Sequence, residues 1–181
     1  MFKSLATLVL IALPAVALAQ SVQPYAGLEG RTVKALSEQQ IADLKAGRGM
    51  SLALPAELNG YPGPSHVLEH ADALGLTAEQ RARTTALFEA MKAEAVPVGE
   101  RLIEQETRLD RLFAERQITP ASLRTATEDI GTTQARLREA HLKYHLAMMT
   151  VLSADQIAKY QTLRGYGSSA GQQQHHPRRH Q

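Results

Sequence analysis

No cysteine occurs among the 181 residues. That removes disulfides, thiolate zinc sites, iron–sulfur clusters and a cysteine nucleophile. Tryptophan is absent too, and only three Phe and five Tyr are present. A chain so poor in aromatics argues against a β-sandwich or barrel. Neither charge dominates: 20 Lys and Arg face 18 Asp and Glu, so the balance gives no case for nucleic-acid binding. No Gly-rich phosphate loop follows a strand pattern, and no Ser or Asp sits in a nucleophile motif, so the chain does not read as an enzyme. What it has in quantity is Ala, Leu, Glu, Gln and Arg, which favour helix. The length fits one domain, two at most.

Residues 1–19 read as a cleaved secretory signal peptide. Lys3 supplies the positive start, and the apolar run Leu5 to Leu13 is too short to span a bilayer. Pro14 breaks that run, and Ala17-Leu18-Ala19 is a small-residue cleavage site. The mature chain then begins at Gln20, with no cysteine for lipid attachment. A cysteine-free exported chain suits a Gram-negative periplasm, which has no ATP. Residues 168–181 are rich in Gly, Ser, Gln, His and Arg, and read as a disordered tail. Between them we expect an N-terminal segment, 20–64, with a short helix and a Gly/Pro-rich loop, and a helical domain over 65–167.

One helix-start signal recurs. Leu36-Ser37-Glu38-Gln39-Gln40, Leu76-Thr77-Ala78-Glu79-Gln80 and Leu152-Ser153-Ala154-Asp155-Gln156 share Leu, Ser or Thr, two residues and Gln. The hydroxyl caps the third amide of the helix, and the Gln reaches back to the cap's own amide. A fourth start, Thr119-Pro120, places proline at the first helical position. After Thr77 an apolar stripe runs through Leu87, Met91, Ala95, Val98, Leu102 and Leu109 to Phe113. Its steps, mostly of three and four, make one helix face, with Pro97 and Gly99 expected to interrupt and kink it. The stripe resumes at Leu123, Ala126, Ile130, Leu137, Tyr144, Met148 and Val151. The short link near Gln117–Thr119 makes the two helices antiparallel neighbours. Further short helices are expected at Glu38–Ala46, at about Ser65–Ala73 and from Ser153 to about Leu163, with one turn near Ala53–Leu58. The fold class is all-α: an elongated antiparallel helical hairpin with short flanking helices. A single hairpin leaves apolar stripe uncovered, so a homodimer is expected.

A signal peptide followed by a helical hairpin with repeated Leu-[Ser/Thr]-x-x-Gln boxes resembles the LTxxQ family of periplasmic proteins. That family includes the Spy and CpxP stress chaperones, the zinc-associated ZraP type and the CnrX-type nickel and cobalt sensors. Leu76, Thr77 and Gln80 match the box fully, and Leu152, Ser153 and Gln156 match it with Ser for Thr. The resemblance covers roughly residues 65–166. It implies either an ATP-independent chaperone with a concave dimer face, or a protein that binds Ni, Co or Cu through His, Glu and Met and signals to a membrane-bound partner.

Four of the seven histidines form two i, i+4 pairs, His66 with His70 and His141 with His145. On a helix that spacing turns both imidazoles to one side. His145 and Met149 are also four apart, and imidazole with thioether suits Ni, Co and Cu better than Mg or Ca. The resemblance implies a metal set of His66, His70, a Glu, His145 and Met149. Measured from the boxes, His70 and His145 stand one residue out of phase with that pattern, and the acidic position falls at Phe88. Glu89 and Glu94 are thus the candidates for the acidic ligand, and Met148 is the alternative to Met149. A ladder estimate sets His145 level with Met91 and the two pairs about 9 Å apart along the axis, at about 1.5 Å per residue. The plainer alternatives are solvated helix surface for either pair, a buried hydrogen-bonded core residue for His141, and core filler for the methionines. His175, His176 and His180 offer only loose binding.

The reading is a periplasmic metal-binding stress or heavy-metal sensor protein holding a late divalent metal (Ni, Co, Cu or Zn), with no organic cofactor. A membrane-bound sensor kinase or anti-sigma factor would be its partner. The alternative is an ATP-independent chaperone for unfolded envelope proteins.

Overall fold

The computed structural model describes residues 23–166. The signal-peptide and tail readings, including His175, His176 and His180, lie outside the described residues. Among the described residues seven helices follow in order: α1 (Glu38–Lys45), α2 (Leu54–Glu57), α3 (Pro64–Glu69), α4 (Ala71–Leu74), α5 (Ala78–Ala114), α6 (Pro120–Met148) and α7 (Ala154–Leu163). The architecture is all-α, with no strand among the described residues beyond one isolated bridge, Val33 with Leu36.

Every expected box caps a helix. Ser37, Thr77 and Ser153 each accept from the amide three residues on, and Gln40, Gln80 and Gln156 each accept from the cap amide. At α6 the same box forms between Thr119 and Ser122. Two boxes do more. The Gln80 Nε2 donates to Gln156 Oε1 at 2.8 Å, and Gln156 Nε2 donates back to Gln80 Oε1 at 3.0 Å. Gln80 Nε2 also reaches the Val151 carbonyl at 2.9 Å. A glutamate can cap a helix equally well, but only an amide both donates and accepts. The first turn of α5 thus clasps the first turn of α7.

The long helices α5 and α6 pack against each other as the antiparallel hairpin. Helix α5 runs its 37 residues unbroken through Pro97, contrary to the expected interruption. Pro97 is exposed, so water can serve the carbonyl its missing amide leaves. Gly99 has a different task. A β carbon there would stand 2.8 Å from the Leu44 carbonyl oxygen, so glycine lets α1 lie directly on α5. The helix expected at Ser65–Ala73 is divided at His70, which ends α3 and begins α4 with φ −106° and ψ 17°.

Two apolar clusters result. One, near the open end, gathers Val67, Leu74, Met148, Val151, Leu152 and Tyr160. The other, further along the hairpin, gathers Leu44, Ala95, Leu102, Ile130 and Leu137. The Gly/Pro-rich segment 47–64 folds back over the hairpin, and α2 packs on α6. Apolar stripe stays open at the hairpin tip, where Phe113 and Leu123 are exposed.

Candidate metal centre

Leu137, His141, His145 and Met148 step along one face of α6, and all four are buried. Leu137 belongs to one apolar cluster and Met148 to the other. Two imidazoles, only 2% and 7% exposed, thus occupy the middle of an inward stripe where aliphatic side chains would normally sit. They line a cavity of about 700 Å³ together with Glu57, His66, Met50 and Met91.

The returning segment is shaped to reach them. A β carbon on Gly63 would lie 2.8 Å from the His145 ring, and Gly49 lies against His141. Met50 and Ser51 hold left-handed φ of 41° and 71°, a conformation that disfavours non-glycine residues, and both line the cavity. The Tyr61 carbonyl lies 2.7 Å from His145 Nδ1. A carbonyl only accepts, so Nδ1 carries a proton, and in the neutral ring Nε2 keeps its lone pair. This is how an outer hydrogen bond selects the ligating nitrogen of a histidine.

Glu57 is the centre of the arrangement. It is 6% exposed at the end of the single turn α2. Its Oε1 accepts from the Tyr160 hydroxyl in a short bond, from Arg164 Nε at 3.2 Å and from the Tyr166 hydroxyl at 3.2 Å. His66 Nδ1 stands 3.5 Å from the same oxygen. Its Oε2 lies 3.8 Å from His145 Nδ1 and has no hydrogen-bond partner. Burial pushes the Glu57 carboxyl up. The His66 contact, the Tyr160 hydrogen bond and the charges of His66 and His145 outweigh burial and hold it down at about 2. Burial first, and the contact with Glu57 second, push the Tyr160 phenol far above its ordinary range. His141 is held toward its neutral form by burial first and by the His145 charge second. Its Nε2 is buried with no partner. A buried polar atom left unpaired costs roughly 1–3 kcal/mol. Two of them, Glu57 Oε2 and His141 Nε2, belong to residues that line one cavity.

Of the residues singled out in the sequence, His66, His141 and His145 are brought to this cavity. The others are elsewhere. His70 is half-buried at the α3–α4 junction and does not line it. Glu89 is exposed, 4.0 Å from Lys92. Glu94 bonds Lys143 at 2.7 Å and the Tyr144 hydroxyl at 3.2 Å. Met149 ends α6 and is 36% exposed, and Met148 is core. The cavity's thioethers come from Met50 and Met91 instead. The reason is one of phase. With His141 and His145 turned inward, Met149 points outward, and the buried position of that turn falls to Met148.

Glu57, the buried acidic residue of the cavity, escaped the sequence reading, and so did Glu69, which lines it from an exposed position. Glu57 lies in a Gly/Pro-rich stretch with no periodicity, remote in sequence from every histidine but His66. Its one signal was an acidic residue on the helical turn expected near Ala53–Leu58.

The donors fit a late divalent metal in kind: a carboxylate, imidazoles with one unpartnered nitrogen, and thioethers. Among the described residues no three His, Asp or Glu side chains already converge as a metal centre. The donors are gathered without being aimed at one point, and joint ligation requires side-chain rotation into the cavity.

The fold and the cavity together define a helical-hairpin protein with a carboxylate–imidazole layer enclosed between two apolar clusters. A family model described as heavy-metal resistance matches residues 49–159, and the chain belongs to that family. The matched stretch contains Glu57, His66, His141, His145 and both of the Gln80 and Gln156 boxes. No curated protein and no solved structure matches the chain.

Proposed function

We propose that the protein is a periplasmic metal-responsive member of its family, one that takes a late divalent ion (Ni, Co, Cu or Zn) into the cavity between α2 and α6. Glu57, His66, His141 and His145 would hold the ion, with Met50 or Met91 as the softer neighbour. The ion would supply positive charge to a layer whose carboxylate oxygen and imidazole nitrogen lack partners. The observation that carries the reading is that pair of orphaned buried atoms, Glu57 Oε2 and His141 Nε2, on two residues that line one cavity. Export by the N-terminal signal, a homodimer and a membrane-bound signalling partner belong to the same proposal, on the strength of the sequence and the family resemblance.

The test is calorimetric titration of Ni, Co, Cu and Zn into protein carrying His175→Ala, His176→Ala and His180→Ala, so that the tail cannot imitate a site. One stoichiometric site tighter than about 1 μM, roughly −8 kcal/mol, is expected. It should weaken at least tenfold in His145→Ala and in Glu57→Gln, and stay unchanged in Glu89→Gln. Absence of heat for all four ions would overturn the reading. The chaperone alternative draws on Leu58, Leu146 and Phe113, each more than half exposed. It predicts suppressed aggregation of an unfolded client that ignores both His145→Ala and Glu57→Gln.

A further inference from the structure

The two oxygens of Glu57 live in different worlds. Oε1 takes every hydrogen bond the carboxylate has: from Tyr160, Arg164 and Tyr166. Oε2 takes none and faces His145. All three donors belong to α7 or the residues just after it. Tyr160 and Arg164 are one turn apart on that helix, and Tyr160 is 1% exposed. Arg164 Nη2 also donates to the Tyr166 hydroxyl at 3.1 Å, and its guanidinium lies over the Tyr166 ring at 5.6 Å. Arg164 and Tyr166 themselves line the cavity. Glu57 is therefore the only carboxylate that joins the C-terminal helix to the imidazole layer among the ion pairs of the described residues.

We infer that Tyr160, Arg164 and Tyr166 are positioning residues for Glu57, and that through them the docking of α7 and the binding of a metal ion are coupled. The inference rests on the metal reading above and adds the element of the fold that would report the ion. A ligating carboxylate is commonly held by outer hydrogen bonds that fix its orientation and raise affinity. Here the loaded oxygen fixes the group, and the free oxygen is left for the ion. Fixing the carboxylate in advance spares the ion the cost of ordering it. Coupling of this kind is reciprocal. Whatever the docked α7 adds to metal affinity, the bound metal adds to α7 docking. The gap between Oε1 and Oε2 is the span of one carboxylate, so no long chain of contacts is needed. The signal would leave the cavity at Arg164–Tyr166, where the chain passes into its C-terminal segment.

The experiment uses the full chain with the three tail histidines replaced, and Ni and Zn as chlorides. Affinity is measured for Arg164→Gln, Arg164→Lys and Tyr166→Phe. Hydrogen exchange of the α7 amides is followed with and without metal. The expected result is a loss of about tenfold or more for Arg164→Gln, a smaller loss for Tyr166→Phe, and recovery toward the parent for Arg164→Lys, which keeps a charged donor. Metal should slow exchange across Lys159–Arg164 in the parent, and less so in Tyr166→Phe even at saturation. A merely structural role for α7 would leave that metal-dependent protection in place. If Arg164→Gln fails to fold, Tyr166→Phe, which loses one hydroxyl at a partly exposed position, carries the test. Unchanged affinity in the folded variants, or α7 exchange that ignores metal, overturns the coupling while the metal reading stands. A parent that binds neither ion overturns both.

Discussion

Two polar clusters bind this hairpin together, and they are built on opposite principles. In the first, Gln80 and Gln156 exchange amide hydrogen bonds and cap two helices, with their donors and acceptors occupied. In the second, Glu57, His66, His141 and His145 share a cavity in which a carboxylate oxygen and an imidazole nitrogen have no partner. A satisfied buried network stabilises and specifies a structure, whereas a partly satisfied one is a burden on it. The clasp is thus a structural device. The imidazole layer is one the fold tolerates, and its unpaired atoms mark where a ligand would complete it.

The largest expected effect comes from removing the centre of the second cluster. Glu57→Ala leaves Tyr160, Arg164 and Tyr166 without their common acceptor. Breaking a buried charged pair from one side typically costs about 3–5 kcal/mol. Urea unfolding should show a loss of that order, and a change under about 1 kcal/mol would place Glu57 outside the load of the fold. The same group gives a pH signature. Its carboxyl is held at about 2 against an ordinary 4.5, so its contribution is complete above pH 4.5. That contribution is lost as pH falls from there toward 2. Metal-free protein should lose stability across that window, and Glu57→Gln should flatten the loss.

The clasp gives a smaller number and a sharper distinction. Gln80→Glu keeps the helix cap, since Glu serves a capping box as well as Gln. It removes the donor to Gln156 and to the Val151 carbonyl, and a cost of about 1–2 kcal/mol in urea unfolding free energy follows. No loss would reduce Gln80 to a cap. The smallest effect has the opposite sign. His141→Leu replaces an unpaired imidazole in an apolar stripe, so metal-free stability should rise by about 1 kcal/mol while metal affinity falls. Thermal melting with and without Ni measures both halves of that exchange. Lower stability in the metal-free state would mean that His141 is an ordinary core residue.

The sequence by itself determined the helices. Capping boxes act within four residues, and the apolar stripe repeats within one turn, so both are local and legible: Ser37, Thr77, Thr119 and Ser153 start the helices where they were expected. It also determined that His141 and His145 share a face, because the helical period fixes that. Only the tertiary structure decided which face is inward, and so gave the buried place to Met148 and left Met149 half in water. It alone brought Gln80 to Gln156, and Glu57 between the histidines and α7. Glu57 reaches Tyr160 and Arg164 across more than a hundred residues. Such a meeting is set by how the 47–64 segment folds back, through a glycine at 63 that admits the His145 ring. No periodicity encodes that path, because an irregular loop has no repeat to read.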